Sequence, residues 1–171
     1  MDISKIEVDS SLAYKLLHPR HTVLVSCSDK AGKANIITLA WTMPTSIKPP
    51  LLVISVRPER YSHRLIEETG EFVVNVPTME IVKETLFCGR ASGSECDKFE
   101  STHLTASPAR RVRSPIIREC AAHLECKVVQ AVTTGDHTLF VGEILTAYVN
   151  EGIFAKTTKT FRVRKVKPVL H

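Results

Sequence analysis

Apolar residues fall into short runs separated by clusters of Gly, Pro, Asn and Asp, a rhythm that predicts strands joined by turns. Residues 21–28 read as a first strand, 29–33 as a turn, and 35–41 as the returning strand of a hairpin. Pro44, Pro49 and Pro50 punctuate a loop, after which residues 51–56 are nearly all apolar, as a central strand should be. Residues 71–76 form another strand, ended by Pro77. Two long strands, 116–131 and 137–149, are joined through Thr133, Thr134, Gly135 and Asp136. The tail 161–167 alternates and is expected as an edge strand whose Lys and Arg block further pairing.

Helical spacing interrupts this rhythm in three places. Residues 10–17 predict a helix capped by Asp9 or Ser10, with Leu12, Leu16 and Leu17 on one face and His18-Pro19 as the stop. Residues 58–70 change to a helical period, with Gly70 as a left-handed C-cap. Thr78 caps a further helix bearing Ile81, Val82, Leu86 and Phe87 on its apolar side and stopped by Gly89. Residues 89–114 read as one long loop, and such loops in compact domains are functional or disordered.

No GxGxxG occurs, and the Gly89-to-Gly93 spacing lacks the Gly-Lys-Ser/Thr of a P-loop. The strand-dominated order predicts a mainly β, antiparallel barrel with a few short helices, forming a single domain over residues 1–171. A chain of 171 residues with 43% hydrophobic content can bury a full core without disulfides or a structural metal.

The five cysteines form no CxxC pair and are odd in number, which suits free thiols in a reducing compartment better than a zinc site or a disulfide framework. Residues 1–7 lack the apolar core of a signal peptide, and no run approaches the roughly 20 apolar residues of a membrane span. A soluble, cytoplasmic protein without membrane contact is expected. A net charge of +5 suits a phosphate-bearing cofactor as well as nucleic acid. Aromatic residues are only 6% and form no stacking platform, so Arg110, Arg111 and Arg113 are read as a solvated basic face.

Candidate chemistry gathers between Asn35 and Arg64, where two apolar strands end in hydroxyl, Arg and aromatic residues, the layout of a ligand rim on a rigid sheet. Three blocks then carry a family resemblance. The first runs from Asn35 through Thr38, Ala40, Trp41 and Thr42 to Ser55, Arg57, Arg60, Ser62 and His63. The second runs from Gly70 through Phe72 and Asn75 to Ser92, Gly93, Asp97, Lys98 and Phe99. The third runs from Gly135 through Asp136, His137, Leu139 and Phe140 to Gly142 and Ile144. In this order and spacing the chain resembles the flavin reductase-like family of FMN-binding split-barrel proteins, which includes short-chain flavin reductases, flavoredoxins and archaeal ferric reductases.

The resemblance implies a split β-barrel homodimer with FMN at the subunit seam. It also implies hydride transfer from NADH or NADPH to the flavin, with electrons passed to free flavin, a ferric chelate or a redox partner protein. A non-catalytic FMN electron-transfer protein is the alternative. Thr38, Leu39, Ala40, Trp41 and Thr42 fall where the family holds the flavin ring and ribityl chain, although Trp41 alone could equally be core. Ser55, Val56, Arg57, Arg60, Ser62 and His63 fall on the segment contacting flavin and phosphate. His63 stands where the family often has a small residue and could instead face solvent. Cys88, Gly89, Arg90, Ser92 and Lys98 fall on the segment closing over the phosphate, with Cys96 a possible thiol beside it. His137 matches the position facing the flavin or nicotinamide and is the candidate catalytic residue, while Asp136 is read as a turn former. No metal site is expected.

Overall fold

The computed structural model describes residues 3–171. Ser10–Leu17 is a 3-10 helix whose N-cap Asp9 accepts from the Ser11 amide; it buries none of its leucines. Strand β1 (Val23–Ser28) and β2 (Ala34–Leu39) form the expected hairpin. Strand β3 (Thr42–Ser46) occupies part of the expected Pro-rich loop. It lies at the sheet edge, where Pro44 withholds no ladder donor that the sheet needs. Strand β4 is Leu51–Val56, and helix α1 is Tyr61–Thr69, ended by Gly70 at φ +68°. Strand β5 is Glu71–Val76. After a 3-10 turn at Met79–Ile81, capped by Thr78, helix α2 (Val82–Arg90) continues through Gly89.

The stretch 89–114, expected as a loop, contains helix α3 (Lys98–Thr102), capped by the Asp97 carboxylate, and strand β6 (Ala106–Ser107), paired with β7 (Ile116–Ile117). Two buried or half-buried acids pin the rest. Glu125 accepts from the amides of Arg110, Arg111 and Val112 and from the Tyr148 hydroxyl. Glu71 accepts from the amides of Arg113 and Ser114. Strands β8 (Ala122–Thr134) and β9 (His137–Val149) follow, so the long strand expected over 116–131 is two strands separated by a turn. In the tail only β11 (Thr160–Phe161, paired with β10, Phe154–Ala155) is extended, and residues 163–166 form helix α4. That corrects the expected edge strand: Val166 is an anchor buried against Val76, Ala121 and Ala122, which a helical turn can deliver.

The main sheet is antiparallel with order β2-β1-β5-β8-β9-β4-β3. It curls round one core that includes Val25 and Ile37, Ile54 and Val56, Phe72 and Phe140, lidded by Leu65 and Ile66 of α1. The curl brings β2 beside β4, but among the described residues no ladder joins the two ends of the sheet, so the barrel is not closed by hydrogen bonds. The β8–β9 pair carries one bulge in each strand: Leu145 of β9 is the extra residue opposite Glu125 and Cys126, and Val129 of β8 is the extra residue between Val128 and Gln130, whereas the β4–β9 ladder runs unbroken from Leu51↔Glu143 to Val56↔Thr138.

Candidate functional site

A cleft of about 320 Å³ opens where β2 and β4 lie side by side without pairing. The end of β2 and the bend after it contribute Thr38, Leu39, Ala40 and Trp41, and the end of β4 contributes Ser55, Val56 and Arg57. The start of α1 adds Arg60, Tyr61 and Ser62. The end of α2 and its exit add Cys88, Gly89, Arg90, Ser92 and Gly93, and Lys98 and His137 complete the lining. Fifteen sequence-predicted residues thus meet in one concavity, drawn from distant parts of the chain.

One end is cationic. Lys98 is 4% exposed, and its ammonium donates to the carbonyls of Ile36 and Cys88, both at 2.8 Å. No carboxylate lies within salt-bridge distance of it among the described residues, and an ammonium has a third proton to donate. Burial depresses its pKa. Arg60 is the N-cap of α1, whose first turn has neither a side-chain cap nor an acidic residue, so its amides favour an anion from outside. Backbone approaches closely here. A Cβ on Gly93 would meet Asn35 Oδ1 at 2.0 Å and Tyr61 Cδ1 at 3.0 Å, and one on Gly89 would meet Thr38 Cβ at 3.2 Å. Gly89 therefore lets α2 press on β2 instead of ending the helix. Burial pushes the Cys88 thiol up to about 11, leaving it protonated and unreactive at neutral pH.

The other end is aromatic. Trp41 lies five residues beyond Ile36, on the order of 16 Å of extended chain. Its indole is stacked on the His137 imidazole, touched edge-on by Tyr14, and covered by the Arg20 guanidinium at 5.4 Å. Trp41 is therefore a wall, not core. His137 opens β9 at the hairpin tip, and its Nδ1 is 2.7 Å from Asp136 Oδ1. The other Asp136 oxygen accepts from Arg57 at 2.5 Å. Arg57 thus serves the aromatic end, although it shares with Arg60 the segment expected to contact flavin and phosphate. Asp136 does more than shape a turn.

Two expected residues lie apart. Thr42 lines a second hollow of about 380 Å³ behind the Trp41–His137 wall, and its hydroxyl donates to the Val53 carbonyl. His63 turns into the core, where Nε2 meets Thr138 Oγ1 at 2.8 Å and the ring packs edge-on against Phe140. It is neither solvent-facing nor at the cleft. Cys96 is half-buried beside the Ser92 carbonyl and is not among the lining residues. Two lining residues lie outside every stretch that the sequence singled out for the site. Thr22 is 3% exposed with an unpartnered hydroxyl, and His171 is carried in as residues 169–171 pair alongside Arg20 and Thr22. Neither belongs to a motif; only this pairing places them. Among the described residues no cluster of three or more His, Cys, Asp or Glu could hold a metal ion.

A flavin reductase like domain model matches residues 16–168. An uncharacterized protein of Archaeoglobus fulgidus is 46% identical over 139 residues, covering 81% of this chain and 76% of that one. The crystal structure of flavoredoxin from Methanosarcina acetivorans superposes with a TM-score of 0.87 at 31% identity, covering 98% of this chain and 86% of that one. The reductase component of an FADH(2)-dependent resorcinol hydroxylase from a Rhizobium species is 26% identical over 76% of this chain and 70% of its own length.

Proposed function

This chain belongs to the flavin reductase-like family, and from that premise we propose that it is an FMN-binding oxidoreductase using NADH or NADPH. The observation that carries the reading is the polarity of the cleft, with Lys98, Arg60 and Arg90 at one end and the Trp41–His137 stack at the other. A mononucleotide with a flat ring and a dianionic phosphate has the same polarity.

The residues present fit that group. The buried ammonium of Lys98 has only carbonyl partners, and the open amides of α1 face the same end. The unpartnered, buried hydroxyl of Thr22 lines the cleft, and Asn35 Oδ1, another unpartnered buried atom, lies behind the lining residue Gly93. Its volume lies within the range of ligand pockets, roughly 300–1,000 Å³. Lys98, Arg60, Arg90, Ser62 and Ser92 would hold the phosphate, Thr38 to Ala40 the chain and ring edge, and Trp41 the ring face. Bound FMN supplies a hydride-accepting ring that hands electrons on to free flavin, a ferric chelate or a protein acceptor. The protein fixes the ring against Trp41, excludes water with the indole, and presents His137 as a hydrogen-bonding group.

Likeness to a flavoredoxin favours a second reading, an FMN electron carrier reduced by a partner protein. Anaerobic addition of NADH or NADPH separates the two, because bleaching of bound FMN within seconds requires a reductase. A colourless protein that fails to quench FMN fluorescence would sink both.

The reading extends to a homodimer with the cleft near its seam. Leu16 and Leu17 are 68% and 70% exposed, and Leu17 lies beside Met43 and Trp41 in the second hollow, an apolar surface that a partner subunit would cover. Sedimentation measures it, and a monomer at micromolar concentration contradicts it. A cytoplasmic setting is supported by five unpaired cysteines.

A further inference from the structure

We propose that Asp136 is a positioning residue for His137: its carboxylate fixes which ring nitrogen carries the proton, and Arg57 holds that carboxylate in place. The proposal rests on the flavin reading for its purpose, but its geometry stands without a ligand.

A His at a hairpin tip would ordinarily sample several rotamers and both tautomers. Here two contacts at right angles restrict it. The stack on Trp41, with 4.7 Å between centroids and 21° between planes, sets the plane of the ring. The 2.7 Å contact from Nδ1 to Asp136 Oδ1 sets rotation within that plane. An ionised carboxylate only accepts, so Nδ1 must carry hydrogen and Nε2 of the neutral ring is a bare acceptor. Nε2 has no protein partner among the described residues, and the ring borders both the cleft and the second hollow. It is the nitrogen left for a ligand.

The carboxylate is itself held from a second strand. Val56 pairs with Thr138, so Arg57 stands across the ladder from His137 and reaches Asp136 Oδ2 at 2.5 Å. Each carboxylate oxygen thus has its own partner. The hydrogen bond from His137, with the Arg57 charge behind it, holds the Asp136 carboxyl below the usual carboxylate range and keeps it ionised at neutral pH. A mere turn former would need neither contact. Arrangements in which a carboxylate orients a working imidazole recur because the tautomer decides whether the outward nitrogen donates or accepts.

Imidazole nitrogen NMR on the ligand-free, ¹⁵N-labelled protein tests the hold directly, with the His137 signals assigned through His137→Gln. The wild type should show the neutral ring protonated at Nδ1. In Asp136→Asn the amide can donate to Nδ1, and the proton should move to Nε2, while Asp136→Glu should keep the wild-type tautomer. In the FMN-loaded protein, Asp136→Asn should slow bleaching by nicotinamide about tenfold and leave FMN affinity within roughly threefold. Asp136→Glu should recover most of the rate, and Arg57→Gln should lose less than Asp136→Asn. A wild-type tautomer in Asp136→Asn, or a wild-type bleaching rate, overturns the proposal. If the wild type binds no FMN, the flavin reading falls, and the nitrogen spectra still decide whether Asp136 sets the ring.

Discussion

The imidazole of His137 lies against the indole of Trp41, with ring centroids 4.7 Å apart and planes 21° from parallel. Trp41 immediately precedes β3, its carbonyl accepting from the Ser55 amide at 3.0 Å, and His137 opens β9, so the two stand on the strands that flank β4 on either side. With Ala40 and Ser55 they form the partition between the two hollows.

Trp41 is the only tryptophan, so its emission is a site-specific probe. Adding FMN should quench it. Trp41→Ala should weaken FMN binding about tenfold, the loss of an aromatic contact worth roughly 0.5–1.5 kcal/mol beyond its area. Unchanged affinity by flavin fluorescence would place the ring elsewhere.

Gly93 tests the cationic end. A methyl group there would collide with Asn35 Oδ1 and Tyr61, both held by packed strand and helix. Gly93→Ala should cost about 1–3 kcal/mol in denaturant unfolding and lower FMN affinity at least about tenfold. A neutral outcome in both measurements would mean that residues 92–96 do not bound the site.

His63 should separate stability from binding. Its buried hydrogen bond to Thr138 lies outside the cleft. His63→Leu should reduce stability by about 1–3 kcal/mol and leave the FMN dissociation constant within roughly twofold. A large loss of affinity in a stable variant would return His63 to the site.

Acid should destabilise the fold in two stages. Burial pushes His123 down to about 4, so the folded state keeps it neutral while the unfolded chain takes up a proton from about 6.5 downward. The unfolded state binds more protons in that window, so stability falls as pH drops from about 6.5 towards 4, by on the order of 2 kcal/mol after allowance for screening. Above the window His123 contributes no slope. Its neighbour Glu125, whose pKa is lowered by hydrogen bonds that outweigh its burial, loses its contribution only as pH falls below the ordinary carboxylate range. Unfolding curves of His123→Gln should be flatter between pH 6.5 and 4.5; an identical slope would assign the acid sensitivity to another group.

The sequence was informative wherever a local rule decided the outcome. Short apolar runs bounded by turn residues located β1, β2, β4, β5 and β9 to within two residues of their observed ends, and Gly70 marked the end of α1. It failed where partners distant in the chain decided. Residues 110–114 look like free basic loop, yet Glu125 and Glu71 capture their amides, and no spacing rule connects those positions. The tail alternates like a strand but is turned helical where Val166 can be buried. His63 sits in a motif beside true cleft residues, but one helical step turns its ring away from Ser62's side and into the core. Thr22 and His171 needed the pairing of residues 169–171 with the entrance to β1.

The uneven ladders of β8 and β9 bear on which length changes the protein can survive. Val129 is already an extra residue, half in solvent, and deleting it would straighten β8 without changing how β9 pairs with β4. The same deletion between Thr138 and Gly142 would exchange inward for outward side chains along the hairpin tip and point His137 away from Trp41. A β8 shortened at Val129 should therefore keep its chemistry, and a β9 shortened between Thr138 and Gly142 should fold, if at all, without it. Leu145, the extra residue of β9 beyond the β4 ladder, should tolerate deletion as Val129 does, so tolerance divides within β9 rather than between the two strands.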